Sequence, residues 1–282
     1  MVEVFSKNRK VTLGPGQPTV IIGERINPTG KPQLQEKIRK GDLFFLPELV
    51  GAQEKAWADM IGVNVGLPGT AEKELLCQAV EAVSRISDRP LYLDSSLPEA
   101  LIVAWENYPY KPLVGSCTGE DRSYKMLMER FLPRPPALVV MLHDEQGIAK
   151  QAKDRLRVAE KVLNQAVQMG YPVDSLVFDC LAMTVGADPL AGKECLDCIR
   201  ELAGQGLPTL IGLSNISFGM PERTLFNKVF AAMAVKAGVA GLILNPNSPE
   251  LVAAVKAADV LSNRDPYATL FLEYYRSQMI SG

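Results

Sequence analysis

Along this chain, short apolar runs alternate with longer stretches in which hydrophobic residues recur every third or fourth position. The first pattern suits strands buried on both faces and the second suits amphipathic helices, so the alternation predicts a series of strand–helix units. The expected strands are residues 20–26, 63–66, 91–95, 113–117, 137–143, 176–180, 209–216 and 241–245. Helical periodicity marks residues 71–86, 149–169, 194–203, 222–237 and 249–261, and several of these are preceded by Pro, Ser or Asp or followed by Gly. Roughly eight such units predict a closed (β/α)8 TIM barrel, an α/β fold. An open doubly wound sheet is the alternative, but it calls for a Gly-rich phosphate loop after its first strand, and Gly23-Glu24-Arg25-Ile26-Asn27 has no such pattern.

Both ends of the chain add to this frame. Residues Val2 to Leu13 alternate around Ser6-Lys7-Asn8-Arg9, predicting a short hairpin that stops at Gly14-Pro15-Gly16, read as a lid on the barrel base or a contact arm. The tail, 265–280, carries Tyr267, Leu270, Phe271, Tyr274 and Tyr275 at near-helical spacing, as expected of a last helix on the barrel wall or of a dimer contact. The expected organisation is a hairpin extension over 1–19 and one barrel domain with a C-terminal helix over 20–282.

A length of 282 residues with 47% hydrophobic content is enough for one large core. The net charge of -2, with both signs interspersed, gives nucleic acid no basic surface to grip. No leader pattern opens the chain and no apolar run is long enough for a membrane span, so a cytoplasmic protein without a membrane partner is expected. The five cysteines are too sparse for a disulfide scaffold. Cys195-Leu196-Asp197-Cys198 lies inside a helical pattern with no second ligand pair, which favours helix packing over a metal site.

In a barrel of this kind, polar residues that close apolar runs face the active end. Asp94 in Leu-Tyr-Leu-Asp-Ser, Asp179 in Leu-Val-Phe-Asp-Cys and Asn215 in Ile-Gly-Leu-Ser-Asn-Ile are such residues. A carboxylate among apolar neighbours needs hydrogen-bond donors, and a ligand edge with adjacent N–H groups supplies them. Asn215 carries both a donor and an acceptor and can meet a ring nitrogen in either protonation state. Structural roles stand beside these readings: Asp94 as the N-cap of the next helix, Asn215 as a brace before Pro221, and Glu24 with Arg25 as a local pair. Asn64 either orients a ligand or satisfies backbone groups. His143, the single histidine, closes another run and is read as a structural or rim residue.

Taken in order, Gly23-Glu24-Arg25-Ile26-Asn27, Asn64-Val65-Gly66, Leu93-Asp94-Ser95, Asp179, and Gly212-Leu213-Ser214-Asn215-Ile216-Ser217 followed by Arg223 resemble the successive motifs of the pterin-binding methyltransferases. They are most similar to those of the methyltetrahydrofolate:corrinoid protein methyltransferases, over about 20–263. The resemblance implies that Asp94 and Asp179 bind the pterin edge, that Gly212 leaves room for the ring, that Asn215 hydrogen-bonds near N5 as the catalytic amide, and that Arg223 lies close to the pterin. Glu24 and Asn64 join the expected substrate contacts.

This sequence departs from the family at two places. Val114-Gly115-Ser116-Cys117 has Gly115 where the family commonly has a pterin-binding Asn, so that contact is lost, moved to Ser116 or taken by water. Ile61-Gly62-Val63-Asn64 lacks the acidic residue often found two positions before that Asn.

The implied reaction is methyl transfer between N5 of tetrahydrofolate and a corrinoid cobalt, in the direction methylcorrinoid protein to tetrahydrofolate within a demethylation pathway. The reverse direction, serving acetyl-CoA formation, is the alternative. No Asp-x-His-x-x-Gly segment supplies a lower cobalt ligand, so the corrinoid (cobalamin-type) group is expected on a small partner protein, with tetrahydrofolate or 5-methyltetrahydrofolate as substrate and no protein-bound metal. A homodimer is expected from the family. Dihydropteroate synthase is the nearest other enzyme, and a pterin-binding or corrinoid-protein scaffold without turnover is the non-enzyme alternative.

Overall fold

The computed structural model describes residues 1–281. Strands β1 (Val2–Phe5) and β2 (Lys10–Leu13) form an antiparallel hairpin that pairs Val2 with Leu13. Eight parallel strands then close a barrel: β3 (Val20–Ile26), β4 (Met60–Val63), β5 (Leu91–Asp94), β6 (Leu113–Thr118), β7 (Ala137–Met141), β8 (Leu176–Asp179), β9 (Thr209–Gly212) and β10 (Gly241–Leu244), with β10 bonded back to β3. Two helices, α1 (Pro32–Arg39) and α2 (Leu46–Lys55), cross from β3 to β4. Single helices make the later crossings: α3 (Glu72–Ile86), α4 (Pro98–Asn107), α5 (Asp121–Phe131), α6 (Ala152–Met169), α7 (Ala191–Gly204) and α8 (Arg223–Ala237). Helices α9 (Pro249–Leu261) and α10 (Thr269–Ser281) complete the chain. This is the expected (β/α)8 barrel.

Side chains that alternate along the strands split between two apolar layers. Ile21, Ile61, Leu93, Val140, Phe178 and Ile211 face outward into the strand–helix layer. Val20, Ile22, Met60, Tyr92, Leu113, Val139, Val177 and Leu210 fill the interior. Val2, Val4 and Leu13 of the hairpin join this inner cluster, so the hairpin closes the base of the barrel. Asp259 of α9 fastens the same end, taking the Thr19 backbone N–H at 3.0 Å and its hydroxyl at 2.7 Å. The Arg264 Nε lies 3.6 Å from Asp259, and its guanidinium also donates to the carbonyls of Gln17, Val235 and Val239.

Some boundaries differ from the sequence pattern. The expected strand 63–66 ends at Val63, because the Asn64 side chain accepts from the Gly66 N–H at 2.9 Å and folds the chain into a turn. The expected strand 209–216 ends at Gly212, and Leu213–Ser217 forms a 3-10 turn that bonds the Phe218 N–H to the Asn215 carbonyl. Residues 142 and 143 likewise fall outside β7. The pattern assigned nothing to α1, α2, α4 and α5, although three of these start with a proline in the first turn, a position where its missing N–H costs nothing. In the tail, Tyr274 is buried, donates to the Pro249 carbonyl at 2.8 Å and stands edge-on to Trp57, whereas Tyr267 is exposed. Cys180, Cys195 and Cys198 are buried in the helix layer, and burial pushes the Cys180 and Cys195 thiols up, so both stay protonated.

Candidate active site

At the end opposite the hairpin, the alternation that buries Ile22, Tyr92, Val177 and Leu210 continues into polar residues. Glu24, Asn64, Asp94, Ser116, Asp179 and Gly212 come to the mouth from six different strands or strand ends, and Met141 and Asn245 extend the ring. These polar positions are half-buried, set above an apolar floor.

Asp94 is not a helix cap. No side chain caps α4; Ser95 instead forms a turn ahead of it, its hydroxyl accepting the Leu97 N–H at 2.9 Å and donating to the buried Glu72. The Asp94 carboxylate instead accepts the Asn64 amide at 3.0 Å and faces the mouth. Asn64 thus does two jobs, turning its own backbone and orienting Asp94. Burial raises the Asp94 carboxyl to about 6, against the pull of hydrogen bonds from Asn64 and Tyr92, with the negative charges of Glu72 and Glu24 adding to the rise.

Asp179 stands across the barrel on β8. It accepts the Leu181 N–H at 2.8 Å, in a loop held by the buried Arg155, which donates to the carbonyls of Cys180 and Leu181 at 2.6 and 3.0 Å. Burial raises Asp179 to about 6 as well, opposed by the Leu181 N–H, with the Asp94 charge adding to the rise. The two acids therefore feel each other's charge; among the described residues neither is in a salt bridge, and the Arg155 charge opposes the rise of Asp179 only weakly.

Glu24 completes an acidic half-ring. Burial raises its carboxyl, while Lys31, Arg25 and Arg223 pull it down. Lys31 spans the rim, its Nζ within 2.9–3.3 Å of the carbonyls of Glu24, Arg25 and Asn27, and its desolvation beside Arg25 lowers it to about 8. The local Glu24–Arg25 pair is not formed among the described residues: successive strand residues point to opposite faces, and Arg25 lines a groove with Lys37, Phe45 and Glu48.

Asn215 is exposed on the rim, carried by the 3-10 turn rather than by a strand. A side chain on Gly212 would begin 3.2 Å from the Asn215 amide nitrogen, so Gly212 is the space over which that amide folds. Arg223, at the start of α8, donates to the Ser214 carbonyl at 2.9 Å and to the Ser217 hydroxyl at 3.2 Å. Ser217 in turn donates to Asn227 at 2.8 Å, so Arg223 braces the turn that carries Asn215. Ser116 faces the mouth beside Tyr92, whereas His143 lies past the end of β7 with its carbonyl accepting the Gly119 N–H at 2.7 Å.

Sequence reasoning did not single out Tyr92, Glu72, Lys31 or Arg155. For Tyr92 the signal was present, since it shares the period-two face of Asp94; Arg155 sits within a long amphipathic helix and has no local signature.

A family described as pterin binding enzyme matches residues 58–245. The chain is 27% identical over 266 residues to the methylcorrinoid:tetrahydrofolate methyltransferase of Eubacterium limosum, across 93% of this chain and 97% of that protein. It is 28% identical over 247 residues to the methionine synthase of Mycobacterium leprae (strain TN), across 81% of this chain but only 20% of that longer protein. Among solved structures, the dihydropteroate synthase of Xanthomonas albilineans in complex with 7,8-dihydropteroate superposes with a TM-score of 0.67 over 93% of this chain and 98% of its own, at 15% identity. At that identity the likeness speaks for the barrel alone.

Proposed function

The chain belongs to the pterin-binding enzymes, and from that premise we propose that it transfers a methyl group between N5 of tetrahydrofolate and the cobalt of a corrinoid carried on a separate small protein. The direction we assign is methylcorrinoid to tetrahydrofolate, within a demethylation pathway. The observation that carries this reading is the mouth itself: Asp94 and Asp179, raised by burial and in no salt bridge among the described residues, face it from β5 and β8, and the Asn215 amide lies on its rim. Near-complete mutual coverage with the Eubacterium limosum methylcorrinoid:tetrahydrofolate methyltransferase supports the substrate and the direction.

The roles follow from the chemistry of the groups. An ionised carboxylate only accepts hydrogen bonds, which suits the adjacent N–H groups of an amino-pyrimidinone edge. Its desolvated position strengthens those bonds and discourages binding of an edge that presents acceptors. Asn215 neither gains nor loses a proton at ordinary pH, so its contribution is to orient N5 and to hydrogen-bond there as charge develops. Gly212 keeps the space beside that amide clear, and Arg223 holds the turn. A corrinoid protein must approach this face, and the loops that follow the strands expose Leu97, Ile148, Leu190 and Phe218 around it.

A homodimer belongs to the same proposal. Helix α8 exposes Leu225, Val229 and Met233, one turn apart, and sedimentation of the purified protein tests whether they are covered. A dihydropteroate synthase reading is disfavoured because the ends of β9 and β10 carry the amides of Asn215 and Asn245 where cations would handle a pyrophosphate.

Mixing the protein with a methylated corrinoid carrier and tetrahydrofolate is expected to change the cobalt absorption spectrum as methyl-Co(III) becomes Co(I). No change in either direction overturns the proposal. A scaffold without turnover would bind folate and leave the spectrum unaltered.

A further inference from the structure

The inner cluster of the barrel is aliphatic apart from Met60 and one phenol, Tyr92. A buried hydroxyl among hydrocarbon is costly unless it is hydrogen-bonded, so its partners show what it is for. Tyr92 precedes Asp94 by two residues on the same face of β5, and its ring reaches from the apolar floor up to the polar ring. There it meets an empty place. Gly115 pairs directly with Asp94 across β5 and β6, and a Cβ on Gly115 would come 3.3 Å from the Tyr92 hydroxyl and 2.6 Å from the Val139 Cβ.

The space that a side chain at 115 would occupy is thus taken first by Val139, with the Tyr92 hydroxyl bordering it. The hydroxyl stands beside the Asp94–Gly115 pair, within reach of Asp94 and Ser116 for a hydrogen bond with each. A phenol has one proton, which goes to the carboxylate, and its oxygen accepts from Ser116. Asp94 is then held from two sides, by Asn64 from β4 and by Tyr92 from below, with its remaining lone pairs toward the mouth.

We propose that Tyr92 is the positioning residue for Asp94, keeping that carboxyl an oriented pure acceptor for a substrate edge with adjacent N–H groups, beside a Gly115 that adds no side chain between them. The inference rests on the pterin reading for the identity of the edge, but the hold on Asp94 is a property of the protein alone. It matters because the other titratable groups that act on Asp94 are negative: Glu24 from β3, Glu72 from α3 and Asp179 from β8. Without the phenol's proton, Asp94 takes up a solvent proton more readily and offers a donor where the ligand also has one.

Tyr92→Phe keeps the ring and removes only the hydroxyl. Carbon-13 NMR of the carboxyl groups in the free protein is expected to show the Asp94 titration moving upward from about 6. Calorimetric titration with tetrahydrofolate is expected to show affinity lowered roughly ten- to a hundredfold, with its acid limb displaced to higher pH. Ser116→Ala, which leaves the floor of the barrel untouched, shifts both in the same direction by less.

An Asp94 titration that does not move in Tyr92→Phe or in Ser116→Ala overturns the inference, whatever the ligand, because a merely structural phenol would alter stability and not that midpoint. Unchanged folate affinity and pH profile in Tyr92→Phe overturn it as well. An Asp94 midpoint that moves in Tyr92→Phe, when the wild-type protein does not bind tetrahydrofolate, supports the hold on Asp94 and removes the pterin reading instead.

Discussion

Two kinds of buried acid sit at the two ends of this barrel. At the base, Asp259 is saturated by its own protein: the Thr19 N–H and hydroxyl bond to it and the Arg264 guanidinium lies alongside. At the mouth, Asp94 and Asp179 are also desolvated, yet the protein gives them neutral hydrogen-bond donors and, among the described residues, no salt bridge; Arg155 acts on Asp179 only as a weaker, more distant charge. Burial raises all three; Asp259 has Arg264 at 3.6 Å to oppose the rise, whereas Asp179 has only the smaller pull of Arg155 and Asp94 is helped by neutral donors. An acid that ties two chain segments together is a fastening; acids held apart with lone pairs facing an opening are built for something that arrives later.

The largest effect is expected at the fastening. Asp259→Ala strands the buried Arg264 and leaves the Thr19 donors unmet, so chemical denaturation should show a loss of about 3–5 kcal/mol, while tetrahydrofolate affinity, measured on the folded protein, stays the same. The mirror image is Asn215→Ala at the rim. It removes an exposed amide from a turn braced by Arg223, so the melting temperature should hold, but single-turnover methyl transfer should slow by about a hundred- to a thousandfold, with folate affinity much less changed.

Asp94→Asn and Asp179→Asn sharpen the contrast at somewhat smaller magnitude. Each should weaken folate binding by about 1.5–3 kcal/mol, the worth of a hydrogen bond to a charged group, and each should leave stability unchanged or raised, since a buried charge without a cation is removed. The pH dependence has opposite signs for the two properties. Both carboxyls have folded-state values near 6, above their unfolded range, so the folded protein binds more protons in between, and its stability should fall as pH rises from about 4 toward 6. Folate affinity should rise as pH passes through 6 and the carboxylates ionise. Thermal melts and calorimetry over that window check both, and the double variant should flatten both slopes.

The smallest effect lies far from either acid. Tyr274→Phe gives up the hydroxyl bond to the Pro249 carbonyl that helps dock α10. A loss of about 1 kcal/mol with no change in folate binding is expected from denaturation curves.

The eight-fold alternation, the inward phase of Asp94 and Asp179, and the hairpin were legible from the order of residues, because burial on a strand repeats every second position and a helix every three to four. That Ser95 and not Asp94 bonds the backbone of the turn before α4 was not legible, since either side chain satisfies the local rule and Asp94 is instead engaged by Asn64, thirty residues earlier. The end of β9 at Gly212 was equally hidden, because the turn that carries Asn215 is fixed by Arg223. Gly115 reads in sequence as a missing contact, and only the closed barrel shows Val139 and the Tyr92 hydroxyl crowding the place a side chain would take. Local periodicity sets which way a side chain points, and contacts between strands distant in the chain set what it meets there; the first is written residue by residue, and the second exists only once the sheet has closed.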